Sequence, residues 1–219
     1  MTRRRPAWTI ATLLVALAVP HVFGSLPESF VGHAPGPAIQ LLLFVLYFGV
    51  ATAIVALVLR ADGVTAADIG IRRPGWMTVA SGLALWAVGL VVLPVLTAPL
   101  GRLFGTPGVE SGISELASMP PALRVFVALG AGAVEELLYR GFAIERLSRL
   151  TGRPWVVGAI AATLFGLAHV PSWGLGFALS ADLPLGIYTT AFYLWRRDLV
   201  ANMIAHSTGL LVAMFTVVP

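Results

Sequence analysis

Apolar runs about as long as a bilayer is thick recur along this chain, and no other feature restricts its fold so strongly. They fall at roughly 7–23, 37–60, 76–100, 121–147, 154–171, 174–197 and 198–218. A helix needs ~20 residues to cross a hydrocarbon core of ~30 Å. In lipid, only helices and closed barrels satisfy their own backbone hydrogen bonds, and the short alternating segments of a barrel do not occur here. The expected fold class is all-α: a polytopic transmembrane helix bundle of about seven hydrophobic segments. A chain that is 58% hydrophobic and 11% charged has too much apolar surface for a single soluble core.

All 14 basic residues are arginine. In a soluble chain the net charge of +4 would suggest nucleic acid, but here the arginines sit at segment ends, where topology explains them. Arg3, Arg4 and Arg5 precede the first segment, and Arg60, Arg72 and Arg73 lie between the second and third. Arg146, Arg149 and Arg153 separate the fourth from the fifth, and Arg196 and Arg197 the sixth from the seventh. If every segment crosses, these all fall on one side. The opposite ends carry only Arg102 and Arg124. The expected partner is therefore the lipid bilayer of the cell membrane and not nucleic acid, with the N-terminus cytoplasmic and the C-terminus outside.

The first segment has the basic start and apolar middle of a signal peptide, but "VPHVFGS" lacks a small-x-small cleavage site, so it is read as an uncleaved anchor. In the sixth, Ser180, Asp182 and Pro184 make a candidate helix start inside the apolar run; residues 172–181 are then a re-entrant or interfacial piece, which the arginine pattern argues against. Loops 61–75 and 101–120 are too short to fold alone, so residues 1–219 are assigned to one integral membrane domain. Cysteine is absent, which removes disulfides and thiolate metal sites.

A charge at mid-bilayer costs ~2.5–3.5 kcal/mol on insertion scales, so deep polar groups face the bundle interior and have partners. The stretch "GAGAVEELLYRGF" sets Glu135 beside Glu136, with Arg140 one turn on. Residues 136 and 140 are i,i+4 neighbours, so the guanidinium can hold the Glu136 carboxylate. Glu135 projects about 100° away, with no local cation on its face. Either the three form a helix-joining ion pair, or one carboxylate is pinned and the other is free to take a proton. In "TLFGLAHVPSW", Phe165 and His169 share a face, Phe165 as core or as a wall for the imidazole, and Pro171 soon interrupts the helix. In "DLVANMIAHSTGLL", Asn202 and His206 share one; asparagine there is by default interhelical glue, and Ser207 and Thr208 can bond back to their own helix. His21, His33, Glu145 and Asp198 are set aside, Asp198 as the cap of the last segment. Glu135's distance from the arginines suggests a site nearer the cytoplasmic half.

"EELLYR" and "FGLAH", followed by the histidine of "NMIAH", carry a resemblance. The chain is similar to members of the CPBP family of intramembrane proteases, which includes the CAAX prenyl endopeptidase and abortive-infection types. The resemblance covers roughly residues 120–215, making 1–120 the variable helices and 121–218 the catalytic ones. It implies an intramembrane endopeptidase acting on a membrane-associated peptide or protein, with no cofactor. On the matching positions it implies Glu135 as activator of a water, His169 as the group that holds or polarises it, and His206 as an oxyanion donor. Glu136 and Arg140 are implied as the supporting pair. The family often has Asn or Asp four residues after the last histidine, where this chain has Leu210; Asn202, one turn before His206, is the candidate substitute.

Three rivals remain at this stage. Two histidines and a glutamate could bind zinc, the metallopeptidase version, although HExxH is missing. The same groups could serve a proton-coupled transporter or relay, although no internal repeat is visible. A non-catalytic membrane scaffold is the third.

Overall fold

The structure, a computed structural model, describes residues 6–31, 36–106 and 110–217. Arg3, Arg4, Arg5 and His33 lie outside the described residues, as does the side chain of His21. The chain forms helices α1 (Pro6–Val31), α2 (Pro37–Ala61), α3 (Trp76–Phe104), α4 (Glu110–Ala117) and α5 (Pro121–Glu136). They are followed by α6 (Glu145–Thr151), α7 (Pro154–Ala168), α8 (Val170–Phe177), α9 (Leu183–Arg196) and α10 (Leu199–Thr216). Two π-helical stretches, Leu137–Ile144 and Ala178–Asp182, join α5 to α6 and α8 to α9. No strand occurs among the described residues; the fold is an all-α polytopic bundle.

Each expected segment reappears as helix, but not each as one straight span. Helices α2, α3 and α10 are long and apolar enough to cross a membrane, and α7 with Val170–Arg196 forms a pair bent by 110°, a fourth candidate if it is one broken span. The apolar part of α1 is the shorter Pro6–Pro20. Helices α5 and α6, parted by a π stretch, are each shorter than a span, and together they carry Arg124, Glu135, Glu136, Glu145, Arg146 and Arg149.

The sixth segment corrects one expectation. "SADLP" does not start a helix; Ser180 and Asp182 lie inside one, in the second π stretch. The break comes earlier, at Gly174, whose φ of 80° and ψ of 163° belong to a region that only glycine occupies easily. Loop 101–120 holds the short helix α4.

The arginine-rich ends come together at one end of the bundle. Arg146 pairs with Asp62 at the end of α2, which also accepts from Trp8 Nε1 in α1 at 3.1 Å. Arg149 lies 3.7 Å from Asp68. At the α9–α10 turn, Arg197 pairs with Glu145 at 2.7 Å, and Leu199 N–H donates to Gly70 O at 2.9 Å. Asp198 caps α10 as expected, accepting from Ala201 N–H at 3.1 Å, and also accepts from Thr78 Oγ1 in α3 at 3.0 Å. The arginine-bearing ends of α2, α6 and α9 thus lie together. Glu145 is structural: it also accepts from the buried Tyr193 hydroxyl at 2.8 Å.

Small residues let the central helices touch. A Cβ on Gly132 of α5 would lie 2.6 Å from Ser207 N and 2.8 Å from Ser207 Cα in α10, and one on Gly82 of α3 would lie 2.7 Å from Ala201 O. Close backbone approach of this kind holds membrane helices together where lipid is as apolar as leucine. It also brings α5, α7, α9 and α10 near enough for short polar side chains to bond across them.

Candidate active site

The two adjacent glutamates part company. Glu136 is wholly buried and surrounded by donors. Its Oε1 accepts from Arg140 Nη1 at 3.0 Å and faces His206 Nδ1 at 2.9 Å; its Oε2 accepts from Asn202 Nδ2 at 3.0 Å. Arg140, equally buried, has its remaining donors on α9: Nη2 to Gly186 O at 3.0 Å and Thr189 Oγ1 at 2.6 Å, Nε to Thr190 Oγ1 at 3.3 Å. Its guanidinium also lies over the Phe165 ring, 4.6 Å from the centroid. A buried ion pair is tolerable only when its spare donors and lone pairs are satisfied, and the Thr189–Thr190 pair meets that condition. Sequence reasoning missed both threonines; adjacent hydroxyls within an apolar span were the available sign.

Glu135 is different. It lines a cavity of about 660 Å³ together with His169, His206, Phe165, Tyr139 and Asp182. Its nearest ionisable partner is His206, with Nε2 at 3.8 Å from Oε2, beyond hydrogen-bonding distance. Glu136, Arg140 and Asn202 are not on the cavity wall. Two carboxylates adjacent in sequence therefore occupy separate environments: one is bonded on both oxygens behind the wall, the other is presented to the open space.

The histidines are set by what their Nδ1 atoms meet. Since Glu136 accepts from Arg140 and Asn202 as a carboxylate, His206 Nδ1 carries the hydrogen toward it. His206 can then offer an Nε2–H to the cavity only as an imidazolium. His169 sits where α7 ends. Its backbone N–H turns to Gly166 O at 3.1 Å, leaving Phe165 O for the side chain, and Nδ1 lies 2.9 Å from that oxygen. Its ring packs edge-on to Phe165 at 5.0 Å and stacks on Trp173 at 5.1 Å. Phe165 also touches the His206 ring at 6.0 Å, so it is the wall between the two imidazoles. Pro171, in the first turn of α8, helps end α7 at that point.

All the residues singled out from the sequence thus converge, with two adjustments. Asn202 does not reach the cavity. Both of its amide hydrogens are engaged, one by Glu136 and one by Thr189 O at 2.8 Å, so it cannot supply the donor missing at Leu210, which itself lines the cavity. Nor does the cavity run toward the arginine end. Glu135 lies eleven residues before Arg146, roughly 16 Å at helical rise. From there the cavity continues to Gln40, Thr97 and Thr216, at the opposite ends of α2, α3 and α10. Asp182, buried beside His169, also belongs to this centre; in the sequence it reads only as part of a helix start.

Fold and site together define a polytopic helical membrane protein with a carboxylate–imidazole centre opening on an internal cavity. Residues 117–211 match the family model described as type II CAAX prenyl endopeptidase Rce1-like, and over that stretch the chain carries the CPBP pattern read from its motifs. The family is one of proteases, which supports an enzyme acting on a membrane-associated protein. No curated protein and no solved structure matches the chain.

Proposed function

We propose that the protein is an intramembrane endopeptidase that hydrolyses a peptide bond of a membrane-associated substrate with a water activated by Glu135. The observation carrying this reading is the division of the glutamate pair, in which Glu136 is held by Arg140, Asn202 and His206 while Glu135 faces the cavity. A general base needs a free lone pair within reach of a water, and of the two adjacent glutamates Glu135 is the one that has it.

In this mechanism the water sits between Glu135 and His169. Glu135 takes one proton, and the oxygen bonds to the substrate carbonyl carbon. The resulting oxyanion lies against the Nε2–H of a protonated His206, whose positive charge Glu136 supports from the other side. The C–N bond then breaks, the leaving nitrogen takes the proton from Glu135, and the carboxylate is restored. Donors fixed in a low-dielectric cavity favour such an oxyanion more than water does. The reading assigns water activation to the carboxylate. Following the arginine end, the N-terminus is cytoplasmic.

The test needs no known substrate. New protein N-termini are compared by mass spectrometry in cells expressing wild type or Glu135→Gln at equal membrane levels. Fragments lost only with Glu135→Gln support the proposal and name substrates. Identical profiles, repeated under stress, refute it in favour of a scaffold or proton relay.

A further inference from the structure

Asp182 is an acid inside the bundle that the mechanism above does not use. It is 6% exposed, lies on the cavity wall, and its Oδ2 is buried without a hydrogen-bond partner. A buried carboxylate oxygen left unbonded is expensive, so its position needs a reason. The closest cationic or potentially cationic group is His169, with Nδ1 3.9 Å from Oδ2. Glu135 from α5 and His206 from α10 also face this pocket; one adds negative charge and the other carries the ring already engaged by Glu136.

From these contacts we infer that Asp182 is a positioning residue for His169: its carboxylate, too distant to bond at 3.9 Å, favours through its charge the imidazole hydrogen on Nδ1, facing Phe165 O, and so keeps the Nε2 lone pair toward the cavity. This inference rests on the proposed hydrolytic reading. Nδ1 is within hydrogen-bonding distance of Phe165 O at 2.9 Å, and the Asp182 carboxylate oxygen lies just beyond that range at 3.9 Å. Which ring nitrogen bears hydrogen is decided by what the other meets, so Nε2 is left as the acceptor. A water beside Glu135 then finds two acceptors, the carboxylate and Nε2, one for each of its hydrogens. Its lone pairs are thereby turned toward a substrate carbonyl, the orientation that attack requires.

The π stretch explains how Asp182 reaches His169. Ala178–Asp182 is π-helical, and the extra residue in such a turn shifts the register of the side chains that follow it. The first π stretch, Leu137–Ile144, contains Arg140. Both irregular turns thus carry an ionisable residue into the same centre.

The experiment uses the full-length protein in micelles. With 15N-labelled histidine in the Glu135→Gln background, His169 is assigned by its loss in His169→Gln. The expected spectrum shows the Nδ1–H tautomer with Asp182 present and a mixture of tautomers in Asp182→Asn. In the otherwise native protein, assayed on a peptide spanning a cleavage site found by its Glu135-dependent new N-terminus, Asp182→Asn lowers kcat at least ~10-fold with KM within about twofold, as expected when a carboxylate orienting a histidine is neutralised. The same change on a His169→Gln background costs less than about twofold. An unchanged tautomer in Asp182→Asn overturns the inference, as does an equal loss of kcat with and without His169. If Asp182→Asn does not insert, Asp182→Ser carries both arms. If no Glu135-dependent cleavage exists, the proteolytic reading has failed, and the tautomer alone decides whether Asp182 positions His169.

Discussion

Substituting Gly132 by alanine tests whether the site is held by the contact between α5 and α10. The added Cβ would lie 2.4 Å from Ser207 Oγ, 2.6 Å from Ser207 N and 2.8 Å from Ser207 Cα. The hydroxyl can rotate away, but the backbone atoms cannot. Restoring an ordinary 3.4 Å contact to the backbone nitrogen parts the helices by ~0.8 Å along that line. Glu136 lies one turn beyond Gly132, and its bonds to His206 and Asn202, 2.9 and 3.0 Å long, cross the same interface. Stretched by that much they pass the hydrogen-bond limit. Overpacking of this sort costs about 1–3 kcal/mol, and misplacing catalytic groups by ~1 Å costs up to ~10²-fold in rate. The assay is unfolding of the purified protein in mixed micelles, followed by tryptophan fluorescence, for Gly132→Ala alone and with Ser207→Gly. The expected outcome is a clear loss of stability that Ser207→Gly repairs only in part, because it removes the hydroxyl and not the backbone. Wild-type stability in Gly132→Ala, or full repair by Ser207→Gly, would refute the argument.

Three other outcomes are expected. Arg140→Lys keeps the charge but cannot serve Glu136, Thr189, Thr190 and Gly186 together; it should destabilise by about 1–3 kcal/mol, and Arg140→Met, which leaves Glu136 unpaired, by about 3–5 kcal/mol, both read by the same unfolding assay. Gly174→Ala should cost roughly 1–3 kcal/mol, since φ 80° and ψ 163° suit glycine only, and limited proteolysis should report loosening of the α7–α8 bend. Asp198→Ala removes the cap of α10 and the bond to Thr78; a loss of about 1–2 kcal/mol is expected, with hydrogen exchange rising first at Ala201.

The membrane class, the helical content and the order of the segments could be read along the chain because each depends on local quantities: the length of an apolar run and the placement of arginine at its ends. The arginine pattern went further than that, since the ends it groups are ends that meet, Arg146 on Asp62 and Arg197 on Glu145. Helical spacing also sufficed for pairs on one helix. Glu136 with Arg140, and Phe165 with His169, touch because residues four apart share a face.

What spacing could not decide was anything that depends on two helices meeting or on a helix departing from its regular period. That Glu135 faces a cavity and Glu136 a ring of donors follows from where α9 and α10 pack, through the small residues that admit them. Asn202 looked free to replace the donor missing at Leu210 until Thr189 O was seen to take its second hydrogen. Asp182 read as part of a helix start because a regular helix was assumed to begin there; a π turn and a break eight residues earlier at Gly174 put it beside His169 instead. The one-dimensional pattern therefore settles which residues are polar at membrane depth and which neighbours on the same helix they can reach. Only the packed bundle assigns partners across helices, because those contacts are set by backbone separation and local register, and neither is written in the hydrophobic period.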